Sequence, residues 1–210
     1  MKHLYHLNLL ILCLVILTGF AAIASVANAQ TAATDIKKAE AYLKNLDTVK
    51  ADFIQTADNG SRLSGTFYLN RPGKLRFEYN EVDDFIVADG TFIYFYDSEM
   101  KEQTNAPIGQ TLADFLLRKD LKLTGKLTVK KISMEQGFKT FTLTESDNEG
   151  SGSVKLFFTP EPFALKKWQI VDAAGLKTEV ALRNMQRDID LPASLFAYFK
   201  PKQDKVGGND

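Results

Sequence analysis

Cysteine and histidine are almost absent from this chain. Its 210 residues include one cysteine and two histidines, and all three (His3, His6 and Cys13) lie close to the amino terminus. The rest of the sequence therefore cannot form a disulfide, a cysteine nucleophile, a Ser-His-Asp triad or a metal site built on imidazole or thiolate ligands. Catalysis would have to rely on carboxylates, lysine, tyrosine or backbone groups.

The chain also lacks an excess of charge of either sign. It contains 26 Lys and Arg residues and 26 Asp and Glu residues. Without Lys2, at the amino terminus, the balance is 25 − 26 = −1. A nucleic-acid-binding domain carries a basic surplus. The composition therefore predicts no nucleic-acid partner.

Long hydrophobic runs are missing except at the amino terminus, where Leu7 to Leu17 is apolar. The charged Lys2 precedes this run and the small-residue sequence Ala27-Asn28-Ala29 follows it, which is the pattern of a secretory signal peptide with its cleavage site. The run is too short for a spanning helix, and Cys13 lies inside it rather than at its end. We predict that residues 1–29 are a removed signal peptide and that the mature chain is exported.

The mature chain of 210 − 29 = 181 residues is long enough for one domain with a buried core. We predict a single domain over residues 30–200. The remaining residues 201–210 are polar and rich in glycine, and they predict a flexible tail.

Acidic residues offer no convincing catalytic arrangement. Asp83, Asp84 and Glu78 are the only candidates for an acid/base cluster. Neighbours in a strand point to opposite faces, so Asp83 and Asp84 share a site only if they lie in a turn. We predict no enzyme activity, no cofactor and no metal site.

Apolar residues, in contrast, occupy both faces of some predicted strands. In Phe92–Tyr96 alternate side chains point to opposite sides of a sheet, and none is charged. A half-exposed antiparallel strand needs one apolar face only, so the second face must be covered by protein, by a mobile helix or by lipid. The sequence leaves open which set faces a cavity: Phe92, Tyr94 and Tyr96, or Ile93 and Phe95.

Periodicity predicts a mainly β chain of the α+β type. Apolar residues at helical spacing predict a helix over Thr34–Asp47, with Thr34 or Asp35 as its cap, and a short helix over Thr111–Arg118. About eleven strands exceed what a flat sheet holds, so the sheet should curl toward a barrel whose concave side the helices can fill. Strands are predicted at Ala51–Gln55, Leu63–Leu69, Leu75–Tyr79, Phe85–Val87, Phe92–Tyr96, Leu127–Ser133, Phe138–Glu145, Val154–Thr159, Leu165–Val171, Lys177–Met185 and Leu195–Phe199.

Several short motifs occur along the chain in a recognisable order. They are Phe53-x-Gln55, Gly65 followed by Arg71-Pro72-Gly73, the Leu75–Tyr79 strand, Asp89-Gly90-x-x-Ile93-x-x-Tyr96 and the Leu112–Arg118 helix. Their joint order and spacing resemble the periplasmic carrier of outer-membrane lipoproteins, the LolA family, and the resemblance covers essentially the whole mature chain.

The resemblance implies an unclosed antiparallel β-barrel with an N-terminal helix and a short helical lid. Its interior would take the acyl chains of lipoproteins in the periplasm. An inner-membrane ABC transporter would hand over the cargo, and an outer-membrane receptor or the membrane itself would receive it. The protein would act as a monomer.

The resemblance also assigns roles to residues. Arg71 would hydrogen-bond the lid backbone and hold the lid closed; the alternative from the residues alone is a surface arginine beside a hairpin. Phe77 stands where an enterobacterial-type sequence would carry tryptophan. The lid begins Thr111-Leu112-Ala113-Asp114, where a Thr-Pro-apolar start is usual. We expect a lipid cavity formed by Phe53, Phe67, Leu75, Phe77, Phe92, Ile93, Tyr94 and Phe95, and a lid formed by Leu112, Phe115, Leu116 and Leu117.

Positive charge accumulates after the lid. Arg118, Lys119 and Lys122 are followed by three more lysines, with only Asp120 opposing them. A solvated hairpin is one interpretation, and a docking patch for an anionic membrane or an acidic partner is the other.

Four other functions remain open. A glycolipid carrier or an envelope-stress sensor could use the same half-barrel. A carboxylate-dependent envelope hydrolase and a structural envelope subunit are the alternatives from other classes. Acylated cargo that copurifies with the chain would distinguish the lipoprotein carrier from all of them.

Overall fold

The computed structural model describes residues 30–112 and 114–201. The described residues fall into two compact units, one with residues 30–41 and the other with the described residues from 42 to 201. In the first unit the described residues 30–41 are helical. The predicted signal peptide and nearly all of the predicted tail lie outside the described residues. Among the helices that are described, none is both long and apolar enough to cross a membrane.

The first helix, α1, covers residues 30–44, whereas the sequence predicts Thr34–Asp47. Thr34 lies inside the helix, and its hydroxyl donates to the carbonyl of Gln30 at 2.9 Å, so it is not the cap. Leu43, in the last turn, is fully buried. The amphipathic pattern predicts the helix correctly, but the residues that extend it toward the amino terminus are outside that pattern.

Eleven strands form one antiparallel sheet in the order β6-β5-β4-β3-β2-β1-β11-β10-β9-β8-β7, which confirms the predicted fold class. In the described part of the chain β6 and β7 are its edges, so the sheet is not closed. The strands are β1 Thr48–Ala57, β2 Arg62–Asn70, β3 Lys74–Tyr79, β4 Phe85–Asp89, β5 Phe92–Asp97, β6 Glu102–Pro107, β7 Leu127–Glu135, β8 Phe138–Glu145, β9 Ser153–Pro160, β10 Phe163–Val171 and β11 Lys177–Arg187.

Three short helices complete the described chain. A single turn of α-helix, α2, spans Asp114–Leu117 between β6 and β7. Two 3₁₀ helices span Glu149–Ser151 and Ala193–Phe196. The predicted helix over Thr111–Arg118 is therefore present but shorter.

The sheet curls strongly, because side chains of distant strands meet on one face. Phe77 lies on β3 and Trp168 on β10, four strands away in the sheet order. In a flat sheet that separation would be about 19 Å at about 4.8 Å per strand. The two ring centroids are only 6.4 Å apart. Bulges between Lys50 and Asp52 and between Leu165 and Lys167 help the strands bend.

The strand register defines the inner, concave face of the sheet. Phe67 lies opposite Phe77, Phe77 opposite Ile86, and Ile86 opposite Phe95. Residues directly opposite each other project from the same face. These side chains therefore form one apolar band that runs across β2, β3, β4 and β5.

The outer face of β4 and β5 is apolar as well, and the C-terminal segment covers it. Tyr198 stacks on Tyr94 at 4.8 Å between ring centroids and lies 5.9 Å from Phe85. Arg76 donates to the carbonyl of Leu195 at 3.5 Å. Protein therefore supplies the cover that the sequence required for this face.

The prediction of a strand at Leu195–Phe199 is wrong. This segment begins in the 3₁₀ helix Ala193–Phe196, which follows Pro192, and its contacts are made by side chains and a carbonyl rather than by a strand ladder. A real strand, β6, was missed in turn. Its sequence Glu-Gln-Thr-Asn-Ala-Pro is polar and has no apolar alternation, since an edge strand exposed to solvent does not need one.

Gly65 on β2 allows close packing on the inner face. A Cβ atom at this position would lie 1.9 Å from the carbonyl oxygen of Glu78 and 2.8 Å from Cε1 of Phe53. Neither approach is sterically allowed, so any side chain would displace the Phe53 ring. The sequence needs glycine here for space.

We therefore expect Gly65→Ala to lower the free energy of unfolding by about 1–3 kcal/mol, the usual cost of overpacking a core. Urea unfolding followed by circular dichroism measures it. Gly125→Ala is the control, because its Cβ would meet only the carbonyl oxygen of Lys122 at 3.9 Å; its effect should stay within about 0.5 kcal/mol. Equal effects in the two variants would contradict the packing argument.

Candidate functional site

The inner face of the sheet encloses a cavity of ≈ 390 Å³ beneath α2. Its lining is mostly apolar, and seven of the residues predicted for the cavity or the lid belong to it. The lining residues are Gln55, Leu75, Phe77, Tyr79, Ile86, Ile93, Phe95, Thr111, Leu112, Phe115, Leu116, Trp168, Ile170, Thr178 and Val180. Such a concave, apolar space with few polar groups is typical of a ligand site.

Aromatic rings form the floor of the cavity. The ring of Phe77 lies 5.0 Å from that of Phe53 and 4.8 Å from that of Phe67. Phe67 also contacts Trp168 at 5.9 Å. Phe53 and Phe67, both predicted for the cavity, project from the inner face but are buried below its lining. They support the rings that line it.

Two of the predicted cavity residues lie on the opposite face of the sheet. Phe92 and Tyr94 project from the outer face of β5, because they alternate with Ile93 and Phe95. Ile93, which is 1% exposed, and Phe95, which is 39% exposed, line the cavity, whereas Phe92 and Tyr94 do not. The choice that the sequence left open is therefore resolved in favour of Ile93 and Phe95, and Phe92 and Tyr94 are corrected to the outer face.

Side chains of α2 fill part of the cavity themselves. The ring of Phe115 lies 5.8 Å from that of Trp168. Phe115 and Leu116 are 2% and 3% exposed. Leu117, also predicted for the lid, is buried but does not line the cavity. A helix of one turn has little stability of its own, so these contacts and the bonds at its end hold it in place.

The carboxyl end of α2 is bound through its carbonyl groups, which have no partner within so short a helix. The amide of Gly73 donates to the carbonyl of Leu117 at 2.8 Å. The guanidinium of Arg71 donates through Nη2 to the carbonyl of Arg118 at 2.8 Å. Nη1 of Arg71 donates to the carbonyl of Leu43 in the last turn of α1. One side chain therefore joins the end of α2 to the end of α1.

The charge of Arg71 is partly buried, and a nearby carboxylate compensates for that burial only in part. Burial lowers the pKa of its guanidinium, and the nearby Asp47 carboxylate opposes that change. The amide of Arg71 itself donates to the carbonyl of Asp47 at 2.8 Å. An arginine remains charged under these conditions, so both bonds to carbonyl groups are charge-assisted.

A polar pair marks the other end of the cavity. The hydroxyl of Tyr79 donates to Oε1 of Gln55 at 3.0 Å. Burial raises the pKa of Tyr79 to about 12, the Asp84 carboxylate adds to the rise, and the bond to Gln55 opposes it. Tyr79 is therefore a neutral hydrogen-bonding group at the edge of an apolar space.

The predicted basic patch is only loosely organised. Arg118 is half-buried, and its carbonyl accepts the hydrogen bond from Arg71, whereas Lys119 and Lys122 are exposed. Lys122 lies 3.4 Å from Asp120. A groove of ≈ 540 Å³ beside the end of α2 includes Arg118, Lys119 and Lys126 in its lining but not Lys122.

The candidate acidic cluster is not brought together. Asp84 accepts hydrogen bonds from Ser98, and Glu78 forms an ion pair with Arg76 at 2.7 Å. Asp83 is exposed in the loop between β3 and β4. Among the residues that the structure describes, no group of three or more acidic, histidine or cysteine side chains could hold a metal ion.

Sequence reasoning missed the half of the cavity that β10 and β11 contribute. Trp168, Ile170, Thr178 and Val180 line it, together with Gln55 and Tyr79 on β1 and β3. Their alternation predicts an apolar strand face. Nothing local predicts that β11 pairs with β1 and thereby brings this face opposite β3.

Comparison with known proteins finds one family over most of the chain. A family model described as outer membrane lipoprotein carrier protein LolA matches residues 44–199. A protein of Legionella pneumophila (strain Paris), named outer-membrane lipoprotein carrier protein, is 31% identical over 179 residues, 80% of this chain and 87% of its own. Proteins of the same name from Nitrosospira multiformis and Methylococcus capsulatus are 30% and 28% identical; the alignments cover 81% and 82% of this chain, 87% and 86% of theirs.

The raised pKa of Tyr79 predicts a loss of stability at alkaline pH. The unfolded chain releases the phenol proton near pH 10, the folded chain near pH 12. Between these values the unfolded state alone is ionised, so the free energy of unfolding should fall by up to about 2–3 kcal/mol as pH rises. Below pH 10 this contribution is fully present.

Urea unfolding at a series of pH values, in the native chain and in Tyr79→Phe, measures this effect. The variant should lose the part of the alkaline slope that Tyr79 contributes. Its tyrosinate absorbance should also lack one late-titrating group. The same slope and the same titration in both proteins would show that Tyr79 does not remain neutral in the folded state.

Proposed function

The chain belongs to the outer membrane lipoprotein carrier protein LolA family, and on that premise we propose that it binds the acyl chains of lipoproteins in the cavity beneath α2 and carries them through the periplasm to the outer membrane. The observation that carries this proposal is the apolar cavity itself. Phe115 and Leu116 already occupy part of it, and an acyl chain can take their place.

An acyl chain that enters the cavity replaces lid side chains, so the free energy of binding is the difference between burying the acyl chain and burying those side chains. Burial of Phe115 and Leu116 contributes about 1.5–3 kcal/mol each, and each buried methylene group contributes about 0.8 kcal/mol. About four to eight methylene groups would therefore offset the displaced lid. A carrier of this kind binds tightly enough to shield its cargo and weakly enough to release it.

Loading from a membrane needs a source of energy. The acyl chains of a lipoprotein in a bilayer are already removed from water, so their transfer into the cavity gains little from the hydrophobic effect. Opening the lid in addition breaks the bonds from Arg71 and Gly73. We propose that an inner-membrane ABC transporter supplies this energy, and that an outer-membrane receptor or the membrane itself receives the cargo. The exposed Lys119 and Lys122 are candidates for contact with an anionic membrane or an acidic partner.

Mass spectrometry of the mature chain, purified from the periplasm by gentle extraction, tests the proposal. We expect acylated lipoproteins to copurify, because their chains would fill the cavity. Phe77→Glu provides a matched variant, since a charge in the cavity would oppose acyl binding. Copurification of a glycolipid in place of lipoproteins would contradict the proposal. Equal amounts of lipoprotein with the native chain and with Phe77→Glu would contradict it as well.

Arg71→Leu should fold and take up lipoprotein but release it slowly. The charge-assisted hydrogen bond from Arg71 to the carbonyl of Arg118 contributes about 1.5–3 kcal/mol to the closed lid, and without it the lid competes poorly with cargo. We expect the half-time of release to liposomes to rise at least about tenfold, which corresponds to about 1.4 kcal/mol.

The control for this variant is Arg62→Leu, which removes an exposed arginine of β2. It should release cargo at the native rate. Circular dichroism and urea unfolding show whether each variant is folded before release is measured. A folded Arg71→Leu protein that releases normally would refute the latch.

A further inference from the structure

The strand β6 is a free edge of the sheet next to the cavity. In the described part of the chain it pairs with β5 alone. One row of its backbone donors and acceptors therefore faces away from the sheet. Such an edge can accept a further extended strand, in which main-chain hydrogen bonds provide the affinity.

The register shows which groups face outward. The amide of Ile108 donates to the carbonyl of Thr91 at 3.0 Å, so Ile108 and every second residue before it turn their backbone groups toward β5. Gln103 and Asn105 therefore turn N–H and C=O away from the sheet. Pro107, the next residue of this row, has no N–H, and its carbonyl is used in a turn. The usable edge is short and centred on Gln103 and Asn105.

A groove lies at the start of this edge and continues the cavity. It has a volume of ≈ 340 Å³, and Glu102 and Thr104 of β6 belong to its lining. Because cavity and groove share part of their lining, a molecule that fills the cavity can extend into the groove along β6. The shared residues are Gln55, Tyr79, Ile86 and Phe95.

The charge of the groove indicates what it accepts. Asp84, Asp97 and Glu102 line it, and none of its described lining residues is a lysine or arginine. Asp84 also binds the amide and hydroxyl of Ser98, at 2.8 and 2.6 Å, which holds the loop after β5 in place. A segment with basic side chains is electrostatically complementary to this surface.

We propose that β6 and this groove hold the polypeptide of a bound lipoprotein directly after its acylated residue, as an added strand that places basic side chains over the groove. The inference rests on the proposed function, because the acyl chains must occupy the cavity for the attached peptide to leave along this route. Arg71, which binds the lid, lies at the opposite end of the strands, between β2 and β3. The exit is therefore separate from the latch.

Amide hydrogen exchange measured by NMR tests the added strand. The probe is a synthetic lipopeptide in which a diacylglyceryl cysteine is followed by serine and four lysines. Its binding should slow the exchange of the Gln103 and Asn105 amides at least about tenfold, whereas palmitate alone should slow neither. Bound lipopeptide with unchanged exchange at both amides would overturn the proposal.

A proline variant tests the same bonds by affinity. Asn105→Pro removes an outward N–H and leaves the pairing with β5 intact, since proline is tolerated on the free side of an edge strand. It should weaken binding of the lysine lipopeptide about 3- to 10-fold and leave binding of palmitate unchanged. Asn105→Ala, which keeps the N–H, is the matched control and should behave like the native chain.

The role of charge is tested with Glu102→Gln and a lipopeptide in which serines replace the lysines. The variant should weaken only the lysine lipopeptide, about 2- to 5-fold at low salt. Glu161→Gln, an exposed acid in the turn after β9, is the control. Equal affinity of the chain for the two lipopeptides would overturn the assignment of a basic segment.

The outcomes separate this inference from the proposed function. If neither palmitate nor any lipopeptide binds, the proposed function fails and the inference fails with it. If palmitate and the lipopeptides bind, but exchange at the Gln103 and Asn105 amides does not slow and Asn105→Pro and Glu102→Gln bind like the native chain, only the inference fails. Exchange at these amides that slows with protein concentration in the absence of lipopeptide would assign the edge to a second copy of this chain.

Discussion

The inner face of the sheet is apolar over most of its strands, and the sheet cannot cover that face by closing on itself. Exposed apolar area on this scale is unfavourable in water, so every other feature of the site follows from the need to shield it. Strong curvature brings Phe77 within reach of Trp168, and α2 places Phe115 and Leu116 over what remains. The cavity is the part that this shielding leaves empty, which makes it available to an apolar ligand.

In the function we propose, α2 exchanges with a ligand because two different kinds of interaction hold it over the cavity. Phe115 and Leu116 contribute hydrophobic burial, which an acyl chain can replace group for group. Arg71 and Gly73 bind the last carbonyls of α2 by directional bonds, which no acyl chain can replace. Under that proposal the first kind sets how well cargo competes with α2, and the second sets how readily α2 returns. A polar pair, Gln55 and Tyr79, then marks where the apolar space ends.

Local pattern predicted the elements of this fold better than their arrangement. Turn residues, period-two alternation and the amphipathic first helix were enough for ten of the strands and both helices. The edge strand β6 was missed because a solvent-exposed edge carries no apolar alternation, and Leu195–Phe199 was misread because apolar residues that cover an outer face resemble a strand. Only half of the cavity lining was predicted. Phe77 and Ile93 lie near recognisable turns, whereas Trp168 and Val180 come close to them only because β1 pairs with β11.

That pairing also has a consequence for how the chain reaches its folded state. Phe53 on β1 lies opposite Leu182 on β11, so 182 − 53 = 129 residues separate two directly paired positions. Contacts of such sequence separation are slow to form, because a large loop must be ordered before they compensate for it. A chain that emerges from its amino terminus presents β1 early and completes β11 last. Throughout that interval one edge of β1 stays unpaired, so the strand at the centre of the finished sheet is the one most exposed to misassociation during biogenesis.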